Sequence, residues 1–292
     1  MGKIDPMDKL WKLADINRRE LIASGAITGV ISGFAAAVQP VMAQTAIVTE
    51  PKGLDAGLVE IPVGRDKVAA YRAMPTGGKN LPLILVVQEI FGVHEHIKDV
   101  CRRFALLGYC AIAPELYQRQ GDVGKLAEID AIRKVVGAVP DSQVFGDLDA
   151  TVAWATTTGI ADANKLGITG FCWGGRIVWL YTAHNPKVKA GVAWYGRLVG
   201  DKTANTPAFP VDIATKPGAP VLGLYGGEDA GIPVATVEQM RTALGAGSKS
   251  SIHVYPGMPH AFFADYRPSY RKEAADDGWS RCKAWFKANG VA

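Results

Sequence analysis

Cys172 lies at the centre of Gly170-Phe171-Cys172-Trp173-Gly174-Gly175, between a short apolar run, Leu166 to Thr169, and a helix-like run, Arg176 to Ala183. A strand, a sharp turn and a helix in that order form a nucleophile elbow. The elbow presents its apex side chain at a helix N-terminus, where unsatisfied N–H groups and the helix dipole favour thiolate over thiol. Small residues must flank the apex, because the turn forces an unusual backbone conformation and the helix packs close behind. A thiol attacks a carbonyl well only as thiolate, so it needs a base that takes its proton and later returns one to the leaving group. His260, in Met258-Pro259-His260-Ala261-Phe262, has the chemistry of that base. Asp229 has the chemistry of the carboxylate that orients a buried imidazolium, with Glu228 beside it as the alternative.

Taken singly, each residue has a plainer reading: a buried cysteine by a glycine turn, a loop histidine, a helix cap. Their chain order, nucleophile then acid then base, is the order of the α/β-hydrolase fold and argues for chemistry. The other histidines are poorer bases. His184 ends the elbow helix and His253 falls within a strand pattern. His94 and His96 are spaced like a metal pair, but no third His or Cys adjoins them, so they are read as the start of a helix and no metal is expected.

These side chains must be held by regular elements. Alternating patterns at 58–63 and 67–74 read as two strands joined by Gly64-Arg65-Asp66, after a flexible lead-in over 45–57. Further strands are expected at 83–88, 109–113, 165–169, 190–194, 221–225 and 251–255. Helices are expected at 95–107, 125–136, 141–157 with Asp141 as N-cap, 234–244 and 269–289. Strands that alternate with helices predict an α/β fold, a mostly parallel central sheet with helices on both faces. Sites in such sheets lie at the carboxyl ends of strands. Cys172, Asp229, His260 and Glu89 each follow a predicted strand, so all four are expected at one edge of the sheet.

Three segments carry a resemblance to a known family: Gln88-Glu89-Ile90-Phe91-Gly92, Ala113-Pro114-Glu115-Leu116-Tyr117-Gln118-Arg119, and Gly170-Phe171-Cys172-Trp173-Gly174-Gly175. From about Gly57 to Phe286 the chain resembles the dienelactone hydrolases, or carboxymethylenebutenolidases. The resemblance implies the α/β-hydrolase fold and hydrolysis of a cyclic enol lactone by a Cys-His-Asp triad without a cofactor. It makes Cys172 the nucleophile, Asp229 the orienting acid and His260 the base. It also makes Glu89 a carboxylate that pairs with the resting thiol or its base and moves when substrate binds. Such a carboxylate keeps the thiol protonated and limits its oxidation. The backbone N–H groups of Trp173 and Ile90 would form the oxyanion hole. Arg119 matches an arginine that holds the substrate carboxylate. The dienelactone-specific pattern has a second arginine four residues after the triad histidine; here that position is Ala264, and Arg267 stands at a different offset. The aromatic residues Phe91, Trp173, Tyr195, Phe262 and Phe263 suggest an apolar or aromatic-like acyl or lactone group, with Phe91 and Tyr195 as substrate contacts. The rival readings are a non-catalytic binding protein on this scaffold, and a peptidase or acyltransferase.

Composition sets the frame. The chain is 48% hydrophobic and 21% charged, enough for one α/β domain of about 250 residues behind a leader. The net charge is +4, with basic residues dispersed and no aromatic-basic stripe, so nucleic acid is not indicated. Residues 1–43 read as an export signal of the twin-arginine kind: a polar start containing Arg18-Arg19, an uncharged stretch from Leu21 to Val38, then Pro40 and Val41-Met42-Ala43. Cleavage after Ala43 would deliver residues 44–292 to the periplasm or beyond; the alternative is an uncleaved anchor. Cys101, Cys110 and Cys282 complete the four cysteines, too few for a disulfide scaffold. Cys101 and Cys110 fall in core patterns. The expected partner is a small lactone or ester, with membrane contact only during export.

Overall fold

A computed structural model describes residues 47–216 and 218–292. The expected export signal and its cleavage point at Ala43–Gln44 lie outside the described residues. Among these residues no helix is long and apolar enough to cross a membrane.

Eight strands form one sheet: β1 (Leu54–Val63), β2 (Asp66–Pro75), β3 (Leu81–Val87), β4 (Cys110–Pro114), β5 (Ala161–Phe171), β6 (Val188–Trp194), β7 (Val221–Gly226) and β8 (Ser251–Tyr255). Their spatial order is β1-β2-β4-β3-β5-β6-β7-β8. The hairpin β1–β2 and the β2–β4 pair are antiparallel; every later pairing is parallel. The central strands are apolar on both faces because both faces are covered. Residues 83–87 of β3 and all of β4 are buried.

Six α-helices do the covering: α1 (Glu95–Leu106), α2 (Ile129–Gly137), α3 (Asp141–Thr157), α4 (Trp173–His184), α5 (Val234–Leu244) and α6 (Lys272–Ala288). Two sheet glycines show that the layers are on opposite sides. A Cβ on Gly167 would meet Phe286 at the end of α6, and one on Gly191 would meet Val178 and Thr182 of α4. Gly167 pairs across the ladder with Ala190, the neighbour of Gly191. Successive strand residues point to opposite faces, so α6 and α4 sandwich the sheet. Helix α1 shares the α6 face through Phe104, whose ring lies 4.6 Å from that of Trp279. Helix α3 shares the α4 face, where Asp149 accepts a hydrogen bond from Tyr181 at 2.8 Å. This is the α/β-hydrolase arrangement.

Three sequence expectations are corrected. The helix expected over 125–136 is a 3-10 turn, Val123–Lys125, and then α2; between them Leu126 and Glu128 take extended backbone. Leu126 packs against the core there. Asp141 is the first residue of α3, not its N-cap, a position held by Pro140. Its carboxylate instead takes a two-pronged pair from Arg176 of α4, with oxygens 2.8 and 2.6 Å from the two terminal nitrogens. The lead-in is not loose. β1 already begins at Leu54, and the amides of Ile47 and Thr49 donate to the buried carboxylates of Asp265 (3.1 Å) and Asp99 (2.5 Å).

Arg176 also donates to the carbonyl of Ala208 at 2.6 Å and stacks over Phe209, with 4.9 Å to the ring centre. It therefore ties the elbow helix to α3 and to the segment that walls the site. Both partners of the Arg176–Asp141 pair are nearly fully buried. Arg176→Met is expected to cost about 3–5 kcal/mol by leaving Asp141 buried and unpaired. Chemical unfolding measures this; a loss below about 1 kcal/mol, the size of an exposed pair, would contradict it.

Candidate active site

β5 runs straight into the elbow. Cys172 has φ 53° and ψ −113°, a left-handed conformation that L-residues adopt only under constraint. Its N–H donates to Trp194 O at 3.0 Å, and its carbonyl accepts from Gly175 N at 3.0 Å. The turn is possible because α4 packs directly on β3: a Cβ on Gly174 would stand 2.4 Å from the carbonyl oxygen of Val87. The Cys172 side chain is partly exposed, whereas Cys101, Cys110 and Cys282 are buried. Burial pushes the thiols of those three upward, that of Cys110 to about 12.

β7 and β8 bring the other two groups. His260 Nδ1 lies 2.6 Å from Asp229 Oδ2, and both side chains are buried. The second oxygen of Asp229 accepts from Gly231 N (2.9 Å) and Ile232 N (3.1 Å), which fixes the carboxylate plane. Glu228 is exposed, so of the two adjacent acids it is Asp229 that faces the imidazole. The imidazole also hydrogen-bonds with the Cys172 side chain. Burial alone would lower the pKa of His260; the Cys172 sulfur and the Asp229 carboxylate outweigh it and raise the value to about 10. Cys172, His260 and Asp229 are thus brought together.

Glu89 is at the same sheet edge but faces another set of partners. Its carboxylate is fully buried, accepts a hydrogen bond from Tyr266 Oη, and lies 3.4 Å from His94 Nε2 and 3.9 Å from Arg267 Nη2. Burial opposes ionisation of Glu89, but Arg267, His94 and His96 overcome it and hold the carboxyl well below its usual range. Tyr117 Oη donates to the Glu89 carbonyl at 3.1 Å and pins the turn. His96 is committed elsewhere, with Nδ1 2.8 Å from Asp265 Oδ1. Among the described residues, no three His, Cys, Asp or Glu side chains gather as a metal site.

A cavity of about 330 Å³ opens over Cys172 and His260. Ile90, Trp173 and Tyr195 line it. Among the described residues the N–H groups of Ile90 and Trp173 have no protein acceptor, as expected for the first residue of a helix in the case of Trp173. Tyr195 has φ 38° and packs edge-on against His260 at 5.1 Å; its buried hydroxyl has no hydrogen-bond partner among the described residues. Two expected contacts stand apart from the cavity wall. Arg119 pairs with the buried Asp147, and Phe91 lies under the Arg267 guanidinium, 4.9 Å from ring centre to carbon. Phe262 and Phe263 are core rings.

Sequence reasoning passed over Tyr266, Arg133, Arg176 and Arg197. Tyr266 lay within reach, in the loop that carries His260. The three arginines lie on α2, on α4 and after β6, with no local pattern that marks them as neighbours of one cavity.

The profile of the Dienelactone hydrolase family matches residues 68–290. The chain is 62% identical over 279 residues to a "Putative carboxymethylenebutenolidase" of Methylorubrum extorquens, covering 95% of this chain and 94% of that one. It is 55% identical to a protein of the same name from Escherichia coli, over 89% of this chain and 96% of that one. A crystal structure titled as a "Putative Dienelactone Hydrolase" from Klebsiella pneumoniae superimposes with a TM-score of 0.78 at 56% identity, over 80% of this chain and 98% of that one. The chain belongs to the dienelactone hydrolase family and is a hydrolase.

The His260 environment sets a pH dependence. Its folded pKa, about 10, lies above the ordinary 6.5, so its contribution to stability is complete below about 6.5 and is lost as the pH rises through about 10. The stability difference between the wild type and His260→Gln should therefore shrink over that interval in chemical unfolding. A difference that is constant or grows with pH would contradict the assignment.

Proposed function

We propose that this protein hydrolyses a small lactone or carboxylic ester through Cys172, His260 and Asp229, with a thioester intermediate. The observation that carries this reading is that one imidazole hydrogen-bonds with both the Cys172 side chain and the Asp229 carboxylate. The pKa of His260, raised to about 10, keeps a proton on the imidazole beside the sulfur at neutral pH.

The thiolate attacks the acyl carbon, and the carbonyl π electrons move to oxygen. That oxyanion sits against the amides of Trp173 and Ile90. Collapse breaks the carbon–oxygen bond to the leaving group, which takes the proton of the His260 imidazolium. A water molecule then adds to the thioester carbon while neutral His260 accepts its proton. The second collapse expels the thiolate and restores the pair. Asp229, fixed by two amides, holds the ring orientation through both halves. No cofactor enters these steps.

Glu89 and Arg119 take the roles the resemblance gives them only by leaving present partners. Glu89 must release Tyr266 to approach the thiol, and Arg119 must release Asp147 to reach a substrate. With Glu89 held by Tyr266, the His260 imidazole is left to Cys172 and Asp229, which supports its role as the base. The apolar cavity wall suits an apolar acyl or lactone body.

Cys172→Ala should abolish turnover of a small aryl ester or lactone, and Asp229→Asn should lower kcat by about 10²–10⁴-fold with a smaller change in KM. Mass spectrometry of the wild type quenched in mid-reaction should find the acyl group on Cys172. Full turnover by Cys172→Ala would overturn the proposal. A wild type that turns over no ester would favour the binding-protein reading, and transfer of the acyl group to an added amine would favour the acyltransferase.

The same reading takes residues 1–43 as a removable export signal. Intact mass of the protein recovered from the periplasm should match a chain that starts at Gln44. Recovery of the full-length chain from the membrane fraction would instead favour the anchor.

A further inference from the structure

The Ile90 amide can serve a substrate oxygen only if the turn that carries it is held still. That turn joins β3 to α1 and belongs to neither, with Glu89 and Gly92 paired across it as an isolated bridge. The segment that follows β4 fixes it. Glu115 is anchored by its own amide to Ala69 O of β2 at 2.8 Å, and one of its carboxylate oxygens accepts a hydrogen bond from Val93 N. Both oxygens also press on Gly92, which has φ 77°; a Cβ built there would stand 3.2 Å from each. Two residues on, the Tyr117 hydroxyl donates to the Glu89 carbonyl at 3.1 Å. The turn is thus gripped at both ends by one neighbouring segment.

A plainer role for Glu115 would be to cap α1. The N-cap of α1 is His94, however, and the amides that a cap serves begin after it, whereas Val93 precedes it. Glu115 therefore serves the turn. A carboxylate suits that task, because a charged acceptor holds a backbone N–H more firmly than a neutral one. Firmness matters here: oxyanion donors act by being preorganised, and a donor that drifts by a fraction of an ångström loses much of its effect. Resting on the hydrolase reading above, we propose that Glu115 and Tyr117 are positioning residues for the oxyanion hole. Neither lines the cavity, whereas Ile90 does. They act through the turn, by setting where the Ile90 amide stands.

Glu115→Ala and Tyr117→Phe each release one grip, and each should lower kcat for a small aryl ester. For Glu115→Ala the loss should be about tenfold to a hundredfold, since losing an oxyanion donor outright costs about 10²–10³-fold. KM should stay within about twofold. Glu115→Gln keeps an oxygen that accepts from Val93 N and should restore most of kcat. Two further measurements need no turnover. When an aryl trifluoromethyl ketone binds, the Cys172 sulfur bonds to its carbonyl carbon and the π electrons move to oxygen, so the adduct needs the oxyanion hole. Fluorine NMR should show its affinity falling in Glu115→Ala by about the same factor as kcat. Alkylation of Cys172 by iodoacetamide forms no oxyanion and should keep its rate in both variants. Tyr117→Phe removes a single oxygen, so it decides the matter if Glu115→Ala does not fold. An unchanged kcat in the folded variants, alkylation slowed as much as ester turnover, or Glu115→Gln as impaired as Glu115→Ala would overturn the proposal. A wild type that binds the ketone more tightly than Glu115→Ala or Tyr117→Phe, yet turns over no ester, would overturn the hydrolase reading instead and leave the brace standing.

Discussion

The backbone conformation forced on Cys172 is the constraint from which the site is built. A non-glycine residue in the left-handed region costs on the order of 1–3 kcal/mol and persists only where its surroundings over-determine it. Here the N–H is held by Trp194 O, the carbonyl is capped by Gly175 N, and α4 sits so close to β3 that a methyl group at Gly174 would strike the Val87 carbonyl. Four non-glycine residues have positive φ among those described: Asn80, Cys172, Tyr195 and Ala261. Three of the four belong to the site, since Tyr195 packs on His260 and Ala261 follows it. Strain is concentrated where the sulfur, the base and the cavity wall meet.

Around that turn the electrostatics separate into two buried units, each built on a histidine and an aspartate. His260 pairs with Asp229 beside the sulfur, and His96 pairs with Asp265. One loop, residues 260–267, serves both, because it carries His260 at its start and Asp265, Tyr266 and Arg267 at its end. Tyr266 and Arg267 secure Glu89, while Asp265 takes the Ile47 amide and pairs with Arg103 of α1. The first described residues of the chain thus lean on the loop that holds the base. The base and the groups that hold Glu89 thus share one segment, residues 260–267.

The parts legible in the sequence were those with a local signature. Cys172, Asp229 and His260 each follow a strand whose apolar pattern is clear, and a parallel sheet brings such positions to one edge. The glycines around Cys172 had a reason that could be stated before any coordinate was known. Choices that depend on direction were not legible. Asp229 and Glu228 are adjacent, and only the folded loop turns one inward to two amides and leaves the other exposed. Pairing across long separations was hidden too. Asp141 reads as a helix cap until Arg176, 35 positions later, is seen to claim it, and Arg119 reads as a substrate ligand until Asp147 is seen beside it. The lead-in looked loose because its anchoring groups are backbone amides, which carry no sequence mark.

The protonation state of the His260 ring decides whether a charged base stands beside the sulfur. With nitrogen-15 in the histidines, NMR assigned through His260→Gln reports whether the His260 imidazole bears one proton or two. At about pH 8, where an ordinary histidine is neutral, the ring should still be doubly protonated, and this state should fade in Cys172→Ala. A neutral His260 at that pH, indifferent to the loss of the sulfur, would contradict a protonated base held beside the sulfur at this site.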